Sequence, residues 1–191
     1  MRFISNGPEG DEAAQLAGSL LLAHPGLQDA NFKRSVVLLA AHSATDGALG
    51  VIVNRPLRQT LREYDAELSG SPLADVALYE GGPVAADQII LVAWKWSRED
   101  SSFKVYFGID ESQASDFLRH SPEFEVRAYL GHAGWDEGQL EAEIELNSWV
   151  LTSVSPKFEA LEGLAVWRSI LSGVSPEMRL LADEPDEFWQ N

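Results

Sequence analysis

The chain contains no cysteine. Disulfides, thiolate metal sites and cysteine nucleophiles are excluded, and the composition fits a reducing compartment, so the expected location is the cytoplasm. Long apolar runs are also missing: the two longest, residues 36–41 and 89–94, hold six residues each. A membrane span needs about 20. The stretch Met1-Arg2-Phe3-Ile4-Ser5-Asn6-Gly7-Pro8 lacks the apolar segment of a secretory signal, so no membrane association is expected. Basic residues are scarce. Fourteen Lys and Arg stand against 30 Asp and Glu, a net charge of −16 with a pI near 4.5. Nucleic-acid binders draw much of their affinity from a basic stripe, and no helix-turn-helix with a basic recognition helix can be read here. Direct nucleic-acid binding is therefore disfavoured; the plain reading of the charge is an acidic, soluble surface.

What is present is an ordinary globular composition, 45% hydrophobic over 191 residues. One core serves chains up to roughly 250 residues. A single domain over 1–191 is expected, with a polar lead-in over 1–17 (a short helix at 11–17 stopped by Gly18) and an acidic tail over 183–191. Apolar periodicity predicts strands over 19–23, 35–41, 48–54, 76–79, 88–94, 103–107, 124–130 and 149–152. The run at 35–41 is continuous enough to be covered on both faces. Pro56 should end the strand before it. Capping spacings predict helices over 61–68, with Leu61, Tyr64 and Leu68 inward, and over 111–119 behind Asp110. After Pro156, Leu161, Leu164, Trp167 and Ile170 or Leu171 share a helical face, and Ser175-Pro176 opens a last helix. Hairpin-like neighbours beside strand–helix–strand crossovers predict a mixed α/β fold of the α+β type, with about eight strands.

The chain is organised around residues 124–153. Phe124, Val126, Ala128 and Leu130 alternate with Glu125, Arg127 and Tyr129, the pattern of a strand with unlike faces. Gly131, Gly134 and Gly138 then fall within eight residues, which predicts a tight loop over 131–138. Asp136 and Gln139 have the spacing of a helix cap and its reciprocal partner, predicting a helix over about 137–147.

Three segments, read together, carry a resemblance. They are residues 22–37 around His24-Pro25-Gly26-Leu27-Gln28-Asp29-Ala30-Asn31-Phe32-Lys33-Arg34; Gly50-Val51-Ile52-Val53-Asn54-Arg55-Pro56-Leu57 with Gly81-Gly82-Pro83-Val84; and Gly131-His132-Ala133-Gly134-Trp135-Asp136-Glu137-Gly138-Gln139-Leu140-Glu141, closing on Asn147-Ser148-Trp149. In this order and spacing they resemble the YqgE/AlgH family of bacterial proteins over roughly residues 18–171. The resemblance implies a compact domain with a mixed, partly barrel-like sheet surrounded by helices. It also implies a protein described as a transcriptional regulator on genetic rather than chemical grounds, and it supplies no catalytic residues. Gly26, Ala30 and His132 depart from the usual pattern.

Chemistry-bearing groups are few. His24, His42, His120 and His132 lack metal-ligand spacing; His24 and His132, with Asp29 and Asp136 near them, form the one candidate acid–base or metal pair. No Gly-x-Ser-x-Gly elbow is present, and the glycine spacing fits neither phosphate-binding fingerprint. Lys33-Arg34 could hold a carboxylate or phosphate, or pair with Asp29 or Glu80 to still the loop. Glu137, Glu141 and Glu145 form an acidic face, and Trp135 and Trp149 are read chiefly as packing. The expectation is a non-enzymatic protein acting indirectly through an unknown protein or small-molecule partner, with no cofactor and no metal. The alternative is a small enzyme built on His24 and His132. Candidate binding residues are His24, Gln28, Asp29, Asn31, Lys33, Arg34, Asn54, Gly81, Gly82, Gly131, His132, Gly134, Trp135 and Gln139, on loops expected to meet at one end of the sheet.

Overall fold

The computed structural model describes residues 16–43, 45–97, 99, 101–154 and 161–183. The helix expected over 11–17, the start of the helical spacing after Pro156 and the tail beyond 183 lie mostly outside these residues. The described chain forms nine strands: β1 (Ser19–Ala23), β2 (Val36–Ser43), β3 (Gly47–Ile52), β4 (Pro56–Thr60), β5 (Ala77–Glu80), β6 (Val84–Ser97), β7 (Ser102–Ile109), β8 (Glu125–Trp135) and β9 (Trp149–Ser153). Five helices accompany them: α1 (Leu61–Tyr64), α2 (Glu111–His120), α3 (Gln139–Glu145), α4 (Leu164–Leu171) and α5 (Pro176–Asp183).

All nine strands join one sheet in the order β4-β5-β8-β3-β2-β1-β9, and β6 pairs with β8 and with β7. Among the described residues every strand pairing is antiparallel except β5 with β8. The fold is thus mixed α/β, with the sheet curled into a half-barrel. Strand alternation explains the curl's three apolar layers. Leu20, Leu22, Val36 and Leu38 point inward to meet Val92, Trp94 and Tyr129. Leu21, Ala23, Val37 and Leu39 point outward under α3. On the other outer face Leu78, Ala93, Val126 and Ala128 meet Leu61 and Ala114 of α1 and α2. Each such side chain, fully buried, contributes roughly 1.5–3 kcal/mol. The inner layer is plugged by α4, whose Trp167 is fully buried and donates its indole N–H to the Ala23 carbonyl at 2.8 Å.

Several expectations meet the structure directly. β1 and β9 stand where alternation placed them, and α2 begins behind Asp110, which forms both bonds of a capping box with Gln113. Others are corrected. The strand before Pro56 ends at Ile52, but Pro56 opens a further strand that was not expected, at the start of the edge strand β4 where no donated hydrogen bond is needed. The helix over 61–68 breaks at Asp65 (φ −136°) into α1 and a 3-10 turn, Ala66–Gly70, and Tyr64 is exposed instead of inward. β6 is twice the expected length and runs through Lys95 and Trp96 to Ser97, paired there with β7.

The largest correction falls on the central stretch. Residues 131–135 are not a loop: β8 continues through Gly131, His132, Ala133 and Gly134 to Trp135. Its first half pairs with β5 and β6, its last three residues with β3. Ala128 and Leu130 face the α2 side, whereas Ala133 and Trp135 face the α3 side, so the outward phase slips by one residue across Gly131. Gly131 makes this possible with φ +66° and with backbone so close to Gly82 and Val84 that a Cβ would collide with their carbonyls. The glycines answer a need for close strand crossing, which a count of glycines does not distinguish from a turn. α3 then starts at Gln139 behind Gly138 and stops at Glu145, shorter at both ends than expected.

Candidate functional site

The three segments singled out by sequence are joined by direct contacts. Gly81 sits at the joint of the two sheet halves, donating to Leu130 O (2.7 Å) and accepting from Ile52 N (2.8 Å). Arg55, just before β4, donates from Nη1 to Glu80 Oε1 at 2.7 Å and from Nη2 to the Lys33 carbonyl at 3.4 Å. It thereby ties the loop between β1 and β2 to the turn after β5. Glu80 takes Arg55 as its partner in place of the Lys33 or Arg34 that spacing suggested. The same loop reaches the end of β8 through Phe32, whose ring lies 6.1 Å from Trp135 and 5.5 Å from Trp149.

Within the loop, Asp29 accepts from Asn31 N at 2.8 Å, and its carbonyl accepts from Phe32 N and Lys33 N. These turns hold the backbone without using the side chains of Gln28 and Asn31, which are exposed. Arg34, at φ +56°, lays its guanidinium 5.6 Å from the Trp167 ring. Asn54 is buried. Its Oδ1 accepts from Val36 N (2.8 Å) and its Nδ2 donates to Arg34 O (3.0 Å), so its amide fastens the loop's exit internally.

Trp135 and Gln139 are likewise engaged inside the molecule, by a residue the sequence reading passed over. Glu143 Oε2 accepts from the indole N–H of Trp135 (2.9 Å) and of Trp149 (2.7 Å), while Oε1 accepts from Gln139 Nε2 (2.8 Å). The available signal was its spacing: Trp135, Gln139 and Glu143 recur every four residues, which brings them to one side once a helix begins between them. Gln139 Oε1 also accepts from Asp136 N at 3.0 Å, the reciprocal half of the expected cap, although the helix starts later. Gly81, Gly82 and Gly131 are buried backbone, and Gly134 is exposed.

The histidines are dispersed. His24 Nδ1 accepts from Gly26 N at 3.1 Å. His132 lies between Gly131 and Ala133 on β8, so alternation turns it away from the Trp135 side against which Phe32 packs. His42 pairs with Glu141 at 2.7 Å, fastening α3 to β2; hydrogen bonds from the Glu141 backbone N–H and from His42 hold that carboxyl below its usual range. His120 lies 3.8 Å from Asp116 on α2. Among the described residues, no group of three or more His, Asp or Glu side chains gathers as metal ligands would. No described helix is long and apolar enough to cross a membrane. An open groove of about 560 Å³ lies elsewhere, lined by Tyr106, Gln113, Phe117 and His120.

A second charged cluster lies on the inner face. Arg127 is 6% exposed, its guanidinium 4.5 Å from the Tyr79 ring and 4.7 Å from the Trp94 ring. Its Nε donates to Glu125 Oε1. Burial drives the Tyr129 hydroxyl well above its ordinary pKa, against the opposing pull of Arg127.

The model of a family described as AlgH-like matches residues 20–179. A UPF0301 protein of Chlorobium luteolum is 32% identical over 177 residues, covering 89% of this chain and 92% of the relative. Another, of Afipia carboxidovorans, is 37% identical over 158 residues, covering 74% of each. Among solved structures, a crystal structure from Corynebacterium diphtheriae superposes with TM-score 0.66 at 23% identity, covering 93% of this chain and 95% of that one. The solution structure of the AlgH protein from Pseudomonas aeruginosa superposes with TM-score 0.64 at 25% identity, covering 93% and 98%.

Proposed function

The chain belongs to the AlgH-like family, and from that premise we propose that it is a non-enzymatic, cytoplasmic binding protein whose regulatory effect runs through contacts with a protein or small molecule. Its surface is the loop between β1 and β2, presented on the turn after β5 and the end of β8. The observation that carries this reading is the two-point fastening of the loop, by Arg55 to Glu80 and by Phe32 to Trp135 and Trp149. A rigid scaffold that holds a polar loop from both sides presents it pre-ordered, which lowers the entropy cost of recognition. Gln28 and Asn31 are among the side chains it offers outward. The net charge of −16 favours a partner with basic character over nucleic acid.

The test is complementation of a strain lacking the gene, read as its transcript profile. The double variant Gln28→Ala, Asn31→Ala is expected to fold with stability within about 0.5 kcal/mol of wild type and to fail to restore the profile. His24→Ala with His132→Ala is expected to restore it. The opposite pair of results would replace this reading with acid–base chemistry at the histidines. Retardation of DNA at physiological salt, abolished by Lys33→Glu, would overturn the indirect route.

A further inference from the structure

We propose that the groove between β7 and α2 receives an extended, basic segment of a partner protein, which pairs with the open edge of β7 as an added strand. This surface shares no residue with the loop between β1 and β2, and the proposal stands or falls without that reading.

β7 lies at an edge of the sheet: among the described residues it pairs with β6 alone. In an antiparallel pair, residues alternate between turning their N–H and C=O toward the neighbouring strand and away from it. Over residues 104–107 the outward groups meet no described strand, so a template for a further strand is exposed.

The groove beside that edge holds about 560 Å³. Strict alternation would put Tyr106 and Ile109, three residues apart, on opposite faces. Gly108, at φ +63°, prevents this as the extra residue of a bulge between the pairs Val92–Phe107 and Leu91–Ile109. Both side chains therefore turn to the α2 side and line the groove. α2 answers with Gln113, Asp116, Phe117 and His120, which share one helical face. The half-buried rings of Tyr106 and Phe117, 5.0 Å apart, give the groove an aromatic lining.

A strand edge selects an extended chain, because main-chain hydrogen bonds are what it offers. Charge selects a basic one. Asp116, whose side chain is 71% exposed, lines both this groove and an adjoining hollow that Asp110 and Glu111 also line. Arg119 and Lys104 offset these acids only in part. A Lys or Arg of the partner can lay its stem on Tyr106 and Phe117 and bring its charged head to Asp116. A second copy of this chain is the poorer occupant, since each copy carries a net charge of −16.

Fluorescence anisotropy of the full chain with a fluorescein-labelled peptide of alternating Lys and Val tests this at physiological salt. Saturable binding is expected, and it should vanish when the peptide's backbone nitrogens are methylated. A peptide of alternating Glu and Val should not bind. Asp116→Asn should weaken binding about fivefold and Asp116→Lys more than about tenfold; both replace an exposed side chain and leave the core intact. Amide hydrogen exchange should show residues 104–107 slowed by the peptide, with the edge strands β4 and β9 unchanged. Gln28→Ala with Asn31→Ala is expected to bind the peptide as wild type does. No saturable binding, equal affinity for the methylated peptide, equal affinity in Asp116→Lys, or protection at β4 or β9 in place of β7 would each overturn the proposal. So would dimers in sedimentation whose β7 amides are already protected without peptide, which would make a second copy the occupant.

Discussion

Arg127 and Glu143 each place one charge among aromatic side chains, and they do so in opposite ways. The cation meets ring faces: Tyr79 and Trp94 lie against the Arg127 guanidinium. The anion meets ring edges: two indole N–H groups, of Trp135 and Trp149, converge on one oxygen of Glu143. The aromatic quadrupole, negative on the face and positive at the edge, accounts for both choices. The two differ in completeness. Both Glu143 oxygens are taken, and the residues that take them come from β8, α3 and β9, so the outer cluster acts as a fastener. Arg127 pairs through Nε with Glu125, whose side chain is 43% exposed, so its one acid partner sits at the rim of the cluster.

The comparison breaks most completely at the joint between the two regions. Gly131→Val would force a branched side chain into positive φ and against the Gly82 and Val84 carbonyls. A loss exceeding about 4 kcal/mol is expected, read as failure to accumulate folded protein or as a collapsed urea midpoint. Next is Glu143→Ala, which strands two indole donors and Gln139. It should cost about 2–3 kcal/mol in urea unfolding, with a blue-to-red change in tryptophan emission as Trp149 loosens. Arg127→Met sharpens the contrast: replacing a buried charge by an apolar side chain of similar length should cost less, under about 1.5 kcal/mol. Equal losses in the two variants would mean that both clusters are fasteners.

Alkaline pH separates the regions again. Burial raises the Tyr129 and Tyr79 pKa values above the ordinary 10.0. Above that value the unfolded chain loses protons that the folded one keeps, so stability is complete below about pH 10 and falls as pH rises beyond it. Tyr129→Phe should flatten that fall, measured as the thermal midpoint between pH 9 and 11 (a range of about one unit either side of the free phenol). The smallest effect is at the outer cluster's rim. The Glu141 carboxyl, lowered by its own backbone N–H and by His42, stabilises above its ordinary 4.5, and that contribution is lost as pH falls through its lowered folded value. Glu141→Gln should cost under about 1 kcal/mol at neutral pH, with a weaker acid dependence than wild type.

Much of the fold was legible because strands with two covered faces and helices with capping boxes are local patterns. The apolar run of β2 and the Asp110–Gln113 cap of α2 are examples. The loop between β1 and β2 was legible for the same reason, from its turn residues and Asp29. What failed to show was whatever depended on a neighbour distant in sequence. Gly131 reads as a turn until Gly82 is laid against it. Asn54 reads as a candidate binding residue until Val36 and Arg34 take up its amide. Glu143 is one acid among many until two tryptophans aim at it.

By itself, then, the order of residues determined which segments become strands and helices, which of them are apolar on both sides, and that the surface is strongly acidic. Those properties follow from side-chain spacing and charge, which are carried along the chain. Tertiary structure alone decided that β8 passes through its glycines from one half of the sheet to the other, and that Arg127 turns inward between the rings of Tyr79 and Trp94. Burial and hydrogen-bond partnership are relations between segments far apart in sequence, and only folding brings those segments within reach.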